Sequence, residues 1–382
     1  MSVKRIMVLG GAGRVGMQIA SELMRRGQDL VIVDIVPGQF LRQRVGRLLN
    51  DTRLAMGDCR SKVSVYGDVD ALDKDAVRAV LVKEKPDLVI NYAIPITWDA
   101  TKRLGNYARI SEAGLGAFTP IQVLTPLKVG QAIVESGIQT QYMVGNLPDI
   151  TVPLITGLAR KRSVHQPVSG AGNVGLNQVA MRRQISLERS VDFDDVELSL
   201  VSHHIHWVAP REPGYSNEAP FLARVVIKGA DVTEELGDLR ALMNRGVMNH
   251  YESDASFSST TGILATQVAL ALLDESDCVH RLHAPAPNGL PGGYPVAIAN
   301  GEMAVDLPDG WQLNDAITAM KACHRLDGVE AIDEDGAVHF THKAQSISRE
   351  ELGFDLPGVM NPAEIEEVAQ AQIAAVKAHF TG

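Results

Sequence analysis

The feature that most constrains this chain lies in residues 5–34, where an apolar run, closely spaced glycines, an amphipathic stretch and a second apolar run ending in an acid follow one another. Gly11 permits a tight turn, Gly13 lets the backbone approach a pyrophosphate, and Gly16 lets the following helix pack closely on its strand. The N-terminus of that helix would face the phosphates. The segment therefore predicts a dinucleotide-binding unit. The alternative is an ordinary strand-to-helix turn, since glycines also close such turns without a ligand.

Cofactor contacts are predicted at this turn and at the ends of the strands. Asp34 ends the second predicted strand, where a carboxylate accepts hydrogen bonds from ribose hydroxyls and repels a 2′-phosphate, which favours NAD over NADP. Ligands of parallel sheets lie beyond the carboxyl ends of the strands, so residues after the third and fourth strands are included. The predicted NAD-binding residues are Gly11, Ala12, Gly13, Arg14, Val15, Gly16, Asp34, Asp68, Ala93 and Ile94.

Apolar runs and helical patterns continue to alternate beyond this unit. Runs that predict strands occur at residues 5–9, 30–34, 63–66, 88–92 and 141–144. Strands that alternate with helices form a parallel sheet. A chain of 382 residues is also longer than one compact α/β domain usually is. We therefore predict an α/β chain with a Rossmann-type parallel sheet in residues 1–148 and a mixed α/β catalytic domain in residues 149–382.

Two segments outside the predicted sheet carry polar side chains suited to a site. Residues 98–120 show no clean period, which predicts a long loop over the site. Residues 196–208 predict a strand that contains three histidines. Side chains alternate along a strand, so His204 and His206 would share one face and His203 the other.

Composition limits the class of partner. The net charge is −10 and no cluster of basic residues is present, which argues against nucleic acid and against an anionic membrane surface and favours a small-molecule substrate. The longest apolar helical stretch, residues 263–273, is too short to span a bilayer. Three cysteines without metal-ligand spacing predict reduced thiols in a cytoplasmic protein. We also expect a homo-oligomer, either a dimer or a tetramer.

The N-terminal segment, as far as Ala93, resembles the nucleotide-binding half of extended short-chain dehydrogenases and sugar-nucleotide epimerases. The resemblance rests on three stretches, at residues 10–16, 67–70 and 86–93. Those enzymes use a Tyr-x-x-x-Lys pair as their acid, whereas none of the seven tyrosines here has a lysine four residues later. The resemblance therefore implies the fold and the cofactor of that family and not its chemistry.

The middle of the chain resembles the lactate/malate dehydrogenase superfamily, which includes the NAD-dependent family 4 glycosidases. Residues 144–151, 176–182 and 202–207 carry this resemblance. It places Asn146 near the nicotinamide and the substrate, and His204 in the place of the acid/base histidine. Asn177 stands where the dehydrogenases have an orienting aspartate and the glycosidases a metal-binding cysteine. Ala180 replaces the substrate-binding arginine of the dehydrogenases, so a hydroxy acid held as in lactate dehydrogenase is not implied.

The candidate catalytic residues are His204, Asn146 and Asn177. An imidazole titrates near neutrality, which suits proton exchange with a hydroxyl oxygen while a hydride moves between carbon and nicotinamide. The alternatives for His204 are a buried structural histidine, or a metal ligand together with His206 or Asn177. No metal is predicted. Candidate substrate-binding residues are Arg182, for an anionic group, with His206 and Tyr294.

These observations predict an NAD-dependent oxidoreductase that acts on a secondary alcohol or ketone of a small polar substrate, anionic or sugar-like, with His204 as acid/base. Two other classes stay open. One is an NAD-retaining, metal-assisted enzyme that is glycosidase-like or epimerising and uses transient oxidation. The other is a dinucleotide-binding regulator without catalysis.

Overall fold

The computed structural model describes residues 2–57, 59–161, 163–251 and 253–381. Within these ranges the first half forms a parallel sheet of six strands, β1 (Arg5–Leu9), β2 (Asp29–Val33), β3 (Val63–Tyr66), β4 (Leu88–Asn91), β5 (Gln141–Val144) and β6 (Ser169–Gly170). Their order across the sheet is β3-β2-β1-β4-β5-β6. This is the order of the Rossmann fold, so the predicted fold class is confirmed. The sixth strand lies beyond residue 148, the predicted domain boundary.

The helices of this half are α1 (Arg14–Arg25), α2 (Gly38–Met56), α3 (Lys74–Glu84), α4 (Trp98–Thr101), α5 (Tyr107–Ser111), α6 (Thr119–Ser136) and α7 (Pro148–Ala159). Alternate residues of β1 enter two different cores. Ile6 and Val8 pack with Ile19 of α1, and Met7 and Leu9 pack on the side of α3 and α6. Burial on both faces explains why the strands are continuous apolar runs.

Residues 98–120 are not one irregular loop, and this part of the prediction was wrong. They contain α4, α5, a 3₁₀ turn at Leu115–Phe118 and the start of α6. The Thr97 side chain accepts from the Ala100 N–H and begins α4. Helices of four or five residues are too short to show a hydrophobic period, which is why the pattern was missed.

The second half is mixed α/β, as predicted, with three small antiparallel sheets, β7-β8-β9, β10-β11-β12 and β13-β14-β15, in the part of the chain that is described. Its elements are α8 (Val174–Arg189), β7 (Val196–Val201), α9 (Ile205–Val208), β8 (Leu222–Ile227), β9 (Ala230–Asp231), α10 (Leu239–His250), α11 (Asp254–Leu272), β10 (His280–Pro285), β11 (Gly293–Ala299), β12 (Glu302–Val305), α12 (Leu313–Leu326), β13 (Val329–Ile332), β14 (Val338–Phe340), α13 (His342–Leu352), β15 (Val359–Met360) and α14 (Ile365–Thr381).

The strand predicted over residues 196–208 ends at Val201. Ser202 then exchanges two backbone hydrogen bonds with Gly293, and the chain turns into α9. His204 therefore precedes a helix and His206 lies within it, so the prediction that they share one face of a strand was wrong. The turn is held by a distant side chain, because the His204 N–H donates to the Asp149 carboxylate.

Helix α11 is longer than the apolar stretch that the sequence suggested. Among the described residues, segment 255–272 of this helix is the one that is long and apolar enough to cross a bilayer, judged by length and composition. However, 56% of that segment is buried within the protein. Ala265, Val268 and Ala269 of this helix pack into the same core as β1 and α1, which is the arrangement of a core helix.

Candidate functional site

A cavity of about 430 Å³ lies between the two halves of the chain. The first half contributes the glycine turn, α4 and the ends of β4 and β5, and the second half contributes α9 and α11. The residues that line it include Gly13, Ile94, Asn146, His204, Trp207 and Phe257. The fold thus places the predicted acid/base histidine and the predicted phosphate-binding turn on the walls of one cavity.

The glycine turn has the geometry that a pyrophosphate requires. A side chain at Gly16 would clash with the carbonyl oxygen of Gly10, and one at Gly11 would clash with Ile32. These glycines therefore let the turn and α1 pack closely. Gly13 is the N-cap of α1, and no side chain of the described residues caps that end. Its N–H groups and the positive end of the helix dipole are suited to bind an anion at the cavity wall.

The adenosine end of the predicted cofactor site is organised by two carboxylates. Asp34 accepts from the N–H groups of Ala12, at 2.8 Å, and Val36, at 3.1 Å. Asp68 accepts from the N–H of Gly38 at 2.9 Å. Both acids therefore stabilise the backbone of turns through these hydrogen bonds. Asp34 directly follows β2, which is where a carboxylate that binds the adenosine ribose is expected. They do not line the 430 Å³ cavity, whereas Arg14 and Ile94 do.

His204 lies between two buried carboxylates. Its Nδ1 is 2.9 Å from Oδ2 of Asp149, an acid at the start of α7. Its Nε2 is 2.9 Å from Oδ2 of Asp327, which follows α12. The second contact is not aligned as a hydrogen bond, and Nε2 has no hydrogen-bond partner among the described residues. The two acids thus act differently: Asp149 orients the ring, and Asp327 brings a negative charge near Nε2.

This arrangement determines the charge of the histidine. Burial opposes a charged imidazole, but the charges of Asp327 and Asp149 and their contacts with the two ring nitrogens outweigh it and raise the pKa of His204 to about 9. The ring centre of His203 is 4.1 Å from that of His204, and no carboxylate of the described residues pairs with His203. Burial lowers the pKa of His203 well below its usual value. At neutral pH we therefore expect a charged His204 beside a neutral His203.

The two candidate asparagines have different environments. Asn146 lines the cavity and bridges the ends of two strands, because its amide donates to the Ala93 carbonyl oxygen at 2.7 Å and its oxygen accepts from Asn91 at 3.3 Å. Asn177 is fully buried behind the histidines. Its amide donates to the carbonyl oxygen of His203 at 3.2 Å, so it supports the segment that carries His204 and does not line the cavity.

The three candidate substrate residues are not brought into the cavity. Arg182 donates to the carbonyl oxygens of Val196 and Phe193. Tyr294 is buried and donates to the Pro291 carbonyl oxygen at 2.8 Å. His206 accepts the His203 N–H and contacts the Ala219 carbonyl oxygen through Nε2, and its pKa is lowered to about 4 by burial. Each has a structural role in this arrangement.

Among the described residues, the group of side chains that could hold a metal ion belongs to the same cluster. Asp149, His203 and His204 each offer one ligand atom, and these atoms lie within 4.8 Å of one another. A ligating imidazole needs a free nitrogen lone pair. Both ring nitrogens of His204 instead lie 2.9 Å from carboxylate oxygens. The arrangement therefore fits a protonated histidine better than a metal ligand.

Sequence reasoning missed Asp149 and Asp327. Asp149 lies within the stretch 144–151 that carries the superfamily resemblance, and its place at the start of a helix gave no sign of a histidine partner. Asp327 is followed by Gly328, whose backbone has a positive φ of 92°, and this marked only a turn. Asn173 was also missed: it donates to Asp149 at 2.6 Å and belongs to the glycine-containing segment 169–175.

Comparisons with known proteins agree with this architecture. Residues 6–110 match the model of the NAD dependent epimerase/dehydratase family. No curated protein matches the chain. A malate dehydrogenase from Cryptosporidium parvum superposes with a TM-score of 0.58 at 16% identity, covering 85% of this chain and 97% of the other. A lactate dehydrogenase from Eimeria maxima, solved with NADH and oxamate, gives 0.56 at 16% identity, covering 86% and 96%.

A malate dehydrogenase from Salinibacter ruber gives 0.56 at 18% identity, covering 84% of this chain and 95% of the other. The chain has the malate and lactate dehydrogenase fold. The match spans both halves, so the likeness to that superfamily in the middle of the sequence is confirmed at the level of fold. The dehydrogenase fold here carries an N-terminal segment that is also similar to epimerases and dehydratases.

Proposed function

We propose that this protein is an NAD-dependent oxidoreductase that interconverts a secondary alcohol and a ketone on a small polar substrate, anionic or sugar-like. The observation that carries the proposal is the shared cavity, because one space is lined by the glycine turn and by His204. Two further findings support it: the family match over residues 6–110 and the dehydrogenase fold of the whole chain. A cytoplasmic location and a homo-oligomer remain predictions.

The residues divide the chemistry between binding and proton transfer. The nicotinamide, when bound, supplies or accepts the hydride. The first turn of α1 would hold the pyrophosphate through backbone N–H groups. In the direction of reduction, His204 would donate its proton to the carbonyl oxygen as the carbon is reduced, and in oxidation the neutral ring would take the proton back. Asp149 holds the ring through Nδ1 at 2.9 Å and stabilises the imidazolium.

The cavity also limits the size and chemistry of the substrate. Trp207 and Phe257 form an apolar wall, their ring centres 4.6 Å apart. Lys102 and Glu212, which form an ion pair, also line the cavity. A substrate with both a polar group and a small apolar body fits such a lining.

The test uses the wild-type protein and a panel of compounds, so the natural substrate does not have to be identified first. NADH and NADPH are titrated by fluorescence, small hydroxy and keto compounds are screened for a change in NADH absorbance, and the metal content is measured on the same sample. Saturable NADH binding with turnover of a ketone or alcohol supports the proposal. Retained NAD with a stoichiometric divalent metal supports the transient-oxidation enzyme instead, and binding without any turnover supports the regulator.

A further inference from the structure

The buried surroundings of His204 contain one more acid than a histidine–aspartate pair needs. Asp327 is fully buried, and so is Asp149. Two buried carboxylates without a nearby cation would lower the stability of the fold, because burial strongly disfavours an isolated charge. The ring of His204 lies between them at 2.9 Å from each, so it is positioned to supply the compensating charge.

Asp327 is held in place by backbone groups. Its two carboxylate oxygens accept from the N–H groups of Leu115 and Gly116, at 2.9 and 3.1 Å. Side chains at Gly114 or Gly116 would clash with the backbone of Asp327, so these glycines allow the close approach. Leu115 also lines the cavity. The acid is therefore fixed behind the cavity wall and does not itself line the cavity.

We propose that Asp327 is a positioning residue that keeps His204 in its imidazolium form, because its negative charge lies beside the buried Nε2. Asp149 supplies orientation, and Asp327 supplies charge. The catalytic meaning of this division rests on the proposed function. The two directions of the reaction then differ in their starting state. The resting protein would already hold the proton that ketone reduction consumes, and His204 would have to lose this proton before oxidation.

The other titratable groups around this cluster do not supply the charge. Burial lowers the pKa of the imidazoles of His203, His206 and His324, and raises the pKa of Tyr215, Tyr294 and the Cys323 thiol, so these groups are uncharged at neutral pH. Arg240 of α10 is a cation on the far side, where it influences His206 and Cys323.

The experiment is an NMR titration of histidine ring signals in the full-length protein, with the His204 signal assigned by its loss in His204→Gln. We expect the wild-type ring to be protonated on both nitrogens at pH 7.5. In Asp327→Asn the titration midpoint should fall by about 1 to 3 pH units, the range expected when an adjacent opposite charge is removed. Asp333→Asn is the matched control, because Asp333 contacts the partly exposed His339 at 2.8 Å. It should leave the His204 signal unchanged.

Two outcomes overturn the inference: an unchanged midpoint in Asp327→Asn, or a neutral His204 in the wild-type protein at pH 7.5. The charge of His204 in the wild-type protein is measured without Asp327→Asn, so the inference can still be overturned if that variant does not fold. Neither measurement involves NAD or turnover. A protein that binds no NADH would therefore defeat the proposed function while the charge state of His204 is still decided.

Discussion

The glycine turn and His204 line the same cavity, yet the turn and the cluster around His204 are built in different ways. The turn offers the backbone groups of consecutive residues at the start of α1. The cluster joins side chains from three segments, with Asp149 and His204 alone 55 residues apart in sequence. A site made of local backbone depends on spacing and on the absence of side chains. A site made of distant side chains depends on the packing that brings buried charges together.

The largest expected effect is a loss of turnover without a loss of NADH binding when His204 is replaced. His204→Gln removes the proton donor, so turnover should fall by about 10²- to 10⁴-fold, while NADH affinity should stay within about twofold. Steady-state rates and fluorescence titrations measure the two quantities. The matched control is His339→Gln, which removes another histidine that contacts an aspartate and should change neither. Turnover that survives His204→Gln would remove this residue from the mechanism.

The next effect should fall on the turn alone. In Gly16→Ala the new methyl group overlaps the Gly10 carbonyl oxygen, and overpacking of this kind costs about 1 to 3 kcal/mol. NADH binding should weaken by about tenfold or more, with the His204 titration unchanged.

Gly46→Ala is the control for the same substitution elsewhere. Nothing lies within 4 Å of a side chain at this position in α2. Gly46→Ala should bind NADH normally and raise the free energy of unfolding by about 0.5 to 1 kcal/mol. If folded Gly16→Ala bound NADH as the wild type does, the turn would not be the phosphate site.

A smaller effect concerns the pH dependence of stability. The pKa of His204 is raised to about 9, so its stabilisation is complete below the unfolded value near 6.5 and is lost as pH rises through 9. His206 and His283, whose pKa is lowered to about 4, act in the opposite sense and destabilise the fold as pH falls from 6.5 towards 4. Stability should therefore peak near pH 6.5.

Chemical denaturation at a series of pH values measures this profile. The contribution of His204 is on the order of 3 kcal/mol, from about 1.4 kcal/mol per pH unit. His204→Gln should flatten the decline above pH 6.5 and leave the acid side unchanged. A decline that persists in this variant would assign the alkaline loss of stability to other groups.

The smallest effect tests a residue that lies outside both sites. The Arg182 guanidinium lies 4.0 Å from the ring centre of Phe193 and donates to backbone carbonyl oxygens. Arg182→Gln should lower the free energy of unfolding by about 1 to 2 kcal/mol through lost hydrogen bonds and should leave KM unchanged. A tenfold rise in KM would restore the interpretation that Arg182 binds substrate.

Local sequence signals predicted the Rossmann half well. The predicted strands agree with the observed ones to within one residue at each end, because buried parallel strands are short apolar runs bounded by turns. The same reasoning failed at residues 202–208, where an apparent continuation of β7 is a turn and a short helix. There the backbone follows a hydrogen bond from His204 to Asp149, which no local pattern could show.

The sequence by itself determined the glycine turn and the parallel sheet, because these depend on spacing, periodicity and residue type within short segments. Only the tertiary structure decided which acids meet His204. Asn177 held the expected position in the sequence, yet it supports the backbone of His203, and Asp149 and Asp327 contact the ring. The physical reason is that a buried charge is stabilised by whichever groups packing places within about 3 Å, whatever their separation along the chain.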